Sequence, residues 1–128
     1  YAASAADARA AENYKKRPGM SEDHLELIRE MPCCCCFPLK GRGGDPHHLK
    51  ANTGERGTGL RSTDKWSVPV CRRHHDEVER IGSRNEIAWF REHGIADVRE
   101  LAEALWANTG DLERMIAVLQ AHREHCGD

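Results

Sequence analysis

Apolar residues in the C-terminal third of the chain recur at helical spacing. Val98, Leu101, Ala102 and Leu105 form one stripe, and Leu112, Met115, Ile116 and Leu119 form a second. Each stripe predicts an amphipathic helix, the first opened by Asp97 with Glu100 and stopped near Gly110, the second capped by Asp111. Ser83 with Glu86 has the same capping-box spacing ahead of Ile87 and Phe90, and Gly94 ends that helix. Arg73 to Ile81 also reads as helical. Further upstream, Ser21 can cap a helix to about Met31, with Leu25 and Ile28 on one face and Leu27 beside it, and Pro32 ends it. Between these helices the pattern changes. Pro38, Gly41, Gly43 and Gly44 mark tight turns, Leu49 to Thr63 is a glycine-punctuated loop, and Trp66 to Val70 predicts a short strand that delivers Cys71.

These elements make an α+β chain that is mostly helical. Residues 1–19 read as an Ala-rich arm or extension, because they carry few large apolar side chains and Met20 opens a segment that reads like a natural start. Residues 20–128 read as one domain, with a metal-binding core over 32–82 and a helical part over 83–128. The helical stripes are core positions and no chemistry is assigned to them.

Composition adds a reason for metal. Charged residues make up 31% and aromatics 5% of the 128 residues, so burial alone stabilises the cysteine-rich half poorly. Structural zinc contributes roughly 10–16 kcal/mol in small peptides, against a net domain stability of about 5–15 kcal/mol. The net charge of −2 argues against a uniformly basic coat for nucleic acid, yet its distribution is uneven. Between Lys40 and Arg80 nine Lys or Arg face six Asp or Glu, a local +3 that leaves −5 for the rest. That suits a local phosphate-facing site better than an extended groove. No run of about 20 apolar residues and no secretory signal pattern is visible, so no membrane partner is expected. Four of the six cysteines are consecutive, which suits thiolate chemistry in a reducing cytoplasm better than disulfides, and Cys126 reads as a free thiol.

The chemistry concentrates where Cys and His do. Cys33-x2-Cys36 and Cys71-x2-His74 are two ligand pairs separated by 34 residues. Each has the spacing with which a tight knuckle presents two side chains to one tetrahedral ion. Four protein ligands leave no open position, so this zinc is expected to be structural, with Cys34 and Cys35 as non-ligands. His75 follows His74 and points about 100° away on a helix, and Glu79 lies four residues on, on the face of His75. That face can hold a second metal, with His47 reaching it from the turn. His48 then remains free to act as a base, a role that a neutral imidazole can fill near pH 7.

These residues resemble the HNH nucleases, whose ββα-metal fold wraps two strands and a helix around one divalent ion and whose treble-clef-like members add a zinc site. The resemblance covers roughly residues 21–125. It is nearest to small phage and prophage proteins of the recombination-enhancement type, on the segments His24-Leu25 to Pro32-Cys33, Gly57-Thr58-Gly59 and Asp64-Lys65-Trp66 to Val70-Cys71. It implies His48 as general base, His47 and His75 as ligands of the catalytic metal, and Asp64 in place of the family's Asn, orienting the loop that positions His48. Glu79 stands where many members have a second helix His, which shifts preference toward Mg²⁺ or Mn²⁺. DNA is the implied substrate, and Lys50, Arg56, Arg61, Lys65, Arg72 and Arg73 are candidate phosphate contacts. Trp66 reads as core. Two other readings stay open: a non-catalytic zinc-stabilised module binding DNA or protein, and an accessory protein that needs a recombination or phage partner.

Overall fold

Helices begin where the chain offers a short polar side chain to the free amides of the first turn. In the computed structural model, which describes residues 19–37, 44–50 and 63–123, Ser21 Oγ accepts from the His24 amide at 3.1 Å and opens α1 (Glu22–Glu30). Two strands follow, β1 (Asp45–His48) and β2 (Ser67–Val70), then α2 (Arg72–Ile81) and α3 (Glu86–Glu92). Asp97 accepts from the amides of Arg99 and Glu100 at the start of α4 (Val98–Ala107), and Asp111 accepts from that of Arg114 at the start of α5 (Leu112–His122). The expectations placed on the arm before residue 19, on Gly41 and Gly43, on Arg56 and Arg61, and on Cys126 lie outside the described residues.

The sheet is a two-stranded antiparallel pair in the register Asp45↔Val70, Pro46↔Pro69, His47↔Val68 and His48↔Ser67. Two prolines face each other across it. Neither has an N–H, so their pair falls at a position where the strands exchange no hydrogen bonds, and the bonded positions are the alternate ones. The next alternate residue agrees, since the Leu49 amide donates to the Trp66 carbonyl at 2.8 Å. At an unbonded position the Pro69 carbonyl points to the far edge of β2, where it accepts from the Cys34 amide at 2.9 Å. The proline pair thus leaves free the acceptor that stitches the cysteine knuckle beside Cys71.

The core runs from Ile28 and Met31 through Val68, Val70 and Val78 to Phe90, Leu101, Leu105, Met115 and Leu119. Each fully buried aliphatic or aromatic side chain contributes about 1.5–3 kcal/mol. The C-terminal helices are also tied to the knuckle by hydrogen bonds, because the Arg123 guanidinium donates to the carbonyls of Cys34 and His93. Gly94, at φ 94°, lets that guanidinium approach: a Cβ there would lie 2.9 Å from Arg123 Nη2. No described helix is long and apolar enough to cross a membrane.

Three elements differ from the sequence reading. Asp64–Trp66 is a short 3-10 turn and the strand starts at Ser67, with Trp66 buried in the core as expected. β1 carries no period-2 apolar alternation, and only the resemblance implied a strand there. The capping box of Ser83 and Glu86 does not form. Gly82 turns at φ 84° into a 3-10 turn over Ser83–Asn85, no side chain caps α3, and Glu86 is buried instead.

Candidate metal centres

Cys71 is the N-cap residue of α2, so the helix start presents Cys71 and His74 to one side within its first turn. The knuckle arriving on the far edge of β2 brings Cys33 and Cys36 against them. His74 Nδ1 lies 3.2 Å from Cys71 Sγ and 3.5 Å from both Cys33 Sγ and Cys36 Sγ, and Cys36 Sγ is 4.0 Å from Cys71 Sγ. A tetrahedral ion with zinc's bond lengths requires sulfurs about 3.8 Å apart and sulfur to nitrogen about 3.6 Å. The four donor atoms therefore already lie close to the corners of such a tetrahedron, all within 4.8 Å of one another, and the cluster can hold a metal such as zinc.

The electrostatics of these thiols suit a cation. Burial, then the sulfurs of Cys33 and Cys71, push the Cys36 thiol up to about 12. Cys33 is also raised, by its hydrogen bond with Cys35 and then by burial. Thiols crowded in this way resist ionising on their own, and a divalent ion reverses the balance by binding the thiolates. Burial lowers the His74 pKa, with Arg73 and His93 adding to the effect, which keeps the imidazole a neutral ligand. Trp89 packs against His74 with ring centroids 5.9 Å apart. Cys34 is fully buried in the core and Cys35 lies outside the donor set.

One residue on, His75 faces the other way. With His47 and Glu79 it forms a second group whose donor atoms also lie within 4.8 Å of one another. His47 Nδ1 is 3.4 Å and His75 Nε2 3.7 Å from Glu79 Oε1, and the His47 and His75 rings meet edge to face. Bonds of about 2.1 Å place neighbouring ligands about 3.0 Å apart in an octahedral site and about 3.4 Å in a tetrahedral one. A small closure suffices for either. Burial raises the Glu79 carboxyl, but the hydrogen bond and charge of Lys50, with His47 and His75, hold it below the ordinary carboxylate range. Burial lowers the His75 pKa, and His47 adds to it.

His48 belongs to neither group. Its Nε2 lies 2.9 Å from Asp64 Oδ1, while Asp64 Oδ2 accepts from the Ser21 amide at 2.9 Å. Asp64 thus holds the imidazole directly, a closer role than orienting a loop. Among the described residues nothing hydrogen-bonds His48 Nδ1.

The basic residues are spread more widely than the sequence suggested. Lys50 Nζ pairs with Glu79 Oε2 at 2.5 Å, so the described structure commits it to the second cluster. Arg72 spans Asp45 and Asp76 on the surface, Arg73 stands 3.4 Å from His74 Nε2, and Lys65 lies over the Trp66 ring at 5.1 Å.

A model for a family of proteins of unknown function, DUF968, matches residues 6–106. The chain belongs to the DUF968 family. It is also similar to the uncharacterized protein YdfU of Escherichia coli (strain K12), 35% identical over 65 residues. That match covers 50% of this chain and 17% of the relative, so the chain spans less than a fifth of that protein. No solved structure matches it.

Among the buried polar residues that sequence reasoning missed are Glu86 and His24. Glu86 Oε2 is 2.7 Å from His47 Nε2, and Glu86 Oε1 accepts from the Lys50 amide at 2.8 Å. Its capping-box position already accounted for an acidic residue, so nothing in the sequence called for another role. His24 is fully buried, with Nδ1 2.7 Å from Thr109 Oγ1, and burial lowers its pKa to about 4 against a smaller opposing effect of Asp64. Its position on α1 one residue before Leu25 was the available signal.

Proposed function

We propose that this chain carries an HNH-type endonuclease centre that hydrolyses DNA phosphodiesters, framed by a structural zinc on Cys33, Cys36, Cys71 and His74. The observation that carries the reading is the His48–Asp64 pair on the residue next to His47. Asp64 accepts from Nε2–H, which leaves Nδ1 as a lone pair free to take a proton. His47 and His48 are consecutive on β1, their Cα atoms about 3.8 Å apart, and their side chains leave the strand end on opposite faces, in position to flank one phosphodiester. The order β1, β2, α2, with His47 and His48 on the first strand and His75 on the helix, is the arrangement the resemblance implies.

In this mechanism His47, His75 and Glu79 are the residues that would hold a Mg²⁺ or Mn²⁺ ion. When bound, that ion supplies positive charge to the phosphate and to the departing oxygen. His48 Nδ1 takes a proton from water as the water oxygen attacks phosphorus. The bond from phosphorus to the 3′ oxygen breaks, that oxygen leaves with the electron pair and takes a proton from solvent, and the imidazolium returns its proton to solvent. Asp64 stabilises the imidazolium that forms. Arg72, exposed beside β1, is placed to meet a phosphate by exchanging its contacts with Asp45 and Asp76.

The test is nicking or linearisation of supercoiled plasmid by zinc-loaded protein with Mg²⁺ or Mn²⁺. Cleavage lost on chelation and in His48→Ala supports the reading. Unchanged cutting by His48→Ala, or tight DNA binding with no cleavage under any divalent ion, overturns it, and the second outcome favours a zinc-stabilised binding module.

A further inference from the structure

We propose that Glu86 is the positioning residue of His47: its carboxylate selects the imidazole tautomer and so aims the Nδ1 lone pair at Glu79 and His75. This rests on reading that cluster as a metal centre.

The argument starts from burial. Glu86 is 2% exposed and His47 1%, and a carboxylate withdrawn from water needs partners on both oxygens. Glu86 has them in His47 Nε2 at 2.7 Å and the Lys50 amide at 2.8 Å. Taken as ionised, Glu86 only accepts, so His47 donates from Nε2, and a neutral ring then carries its lone pair on Nδ1. The opposite tautomer would set a lone pair against a carboxylate oxygen at hydrogen-bond distance. On the other side of the ring, Nδ1 is buried without a hydrogen bond and 3.4 Å from Glu79 Oε1. Two electron-pair donors facing each other 3.4 Å apart, the imidazole one buried, call for a cation between them. A carboxylate behind a ligating imidazole orients the ring and raises its basicity in just this sense.

The placement of Glu86 makes the device long-range. It sits 39 residues from His47 on the first turn of α3, outside the ββα unit. Its second oxygen holds Lys50, two residues past the end of β1, and the side chain of Lys50 meets Glu79. One carboxylate therefore fixes the angle of His47 and the exit of the strand that bears it.

The experiment has two readings on the zinc-loaded chain. The first is long-range ¹H–¹⁵N NMR of the His47 ring without added Mg²⁺ or Mn²⁺. The Nε2–H tautomer is expected, and an Nδ1–H tautomer in the wild type overturns the proposal without any variant. The second is Mn²⁺ titration followed by electron paramagnetic resonance, with zinc content and unfolding midpoint recorded in parallel. Glu86→Gln, which keeps only one carbonyl oxygen for two donors, is expected to bind Mn²⁺ about 10–100-fold more weakly while retaining its zinc. Unchanged Mn²⁺ affinity with an unchanged tautomer in that variant also overturns the proposal. Wild-type protein that takes up no Mn²⁺ yet shows Nε2–H retires the catalytic-metal reading and leaves the control of the tautomer by Glu86 supported.

Discussion

The two clusters share the first turns of one helix and differ in everything that decides what a metal can do. The Cys33, Cys36, Cys71 and His74 group has four donors, three of them soft sulfurs, and closes around its centre. The His47, His75 and Glu79 group has three harder donors, and Glu79 is partly exposed. A closed soft set holds an ion for the sake of the fold, whereas an open hard set leaves positions for water and phosphate. His74 and His75 are neighbours in sequence, yet the 100° step of the helix sends one to each cluster.

Five substitutions break or sharpen this contrast. Cys36→Ser removes a corner of the closed set and carries the largest effect, because structural zinc contributes roughly 10 kcal/mol or more. The variant is expected to lose one equivalent of zinc by metal analysis and the cooperative unfolding of the central region by calorimetry. Cys34→Ala, in the same knuckle but outside the donor set, should keep its zinc. His48→Ala should cut plasmid cleavage by about 10²–10⁴-fold while leaving zinc content and folding intact, which separates the chemistry from the frame.

A third effect concerns a histidine that serves neither cluster. The unfolded chain protonates His24 near 6.5, and the native protein resists until about 4. The unfolded state therefore binds more protons between those values, so the stability from a neutral His24 is complete above pH 6.5 and falls as pH drops toward 4, by about 3 kcal/mol. Denaturant midpoints at pH 7.5 and 4.5 should fall further in wild type than in His24→Gln, the difference isolating His24 from any release of zinc. Smallest of all, Glu79→Gln removes a partly exposed ion pair with Lys50. It should change stability by no more than about 1 kcal/mol while weakening Mn²⁺ binding measurably in a titration.

The helices and the donor pairs were the most legible parts of the chain. The stripes through Leu101, Leu105, Met115 and Leu119 are buried as their spacing requires, and Asp97 and Asp111 cap their helices. The spacings Cys33-x2-Cys36 and Cys71-x2-His74 selected the four residues that lie together. Each of those signals is local, carried by residues within one turn of each other. β1 was hidden because its residues, Asp45-Pro46-His47-His48, are polar or proline and offer no alternating apolar face. Glu86 was hidden for the opposite reason, since a local rule explained it completely and was overruled.

What the sequence determined by itself was the inventory: amphipathic helices, two knuckle spacings, and a His75-to-Glu79 step that any helix would bring to one face. Which knuckle edge meets β2, that Lys50 is bound to Glu79, and that Glu86 stands behind His47 were decided only in the folded chain. Those contacts join residues 29 to 39 positions apart and more. The Glu86–His47 contact draws its energy from removing polar groups from water together, a cost and a gain that exist only once the core has closed around them, whereas the exposed Lys50–Glu79 pair adds little.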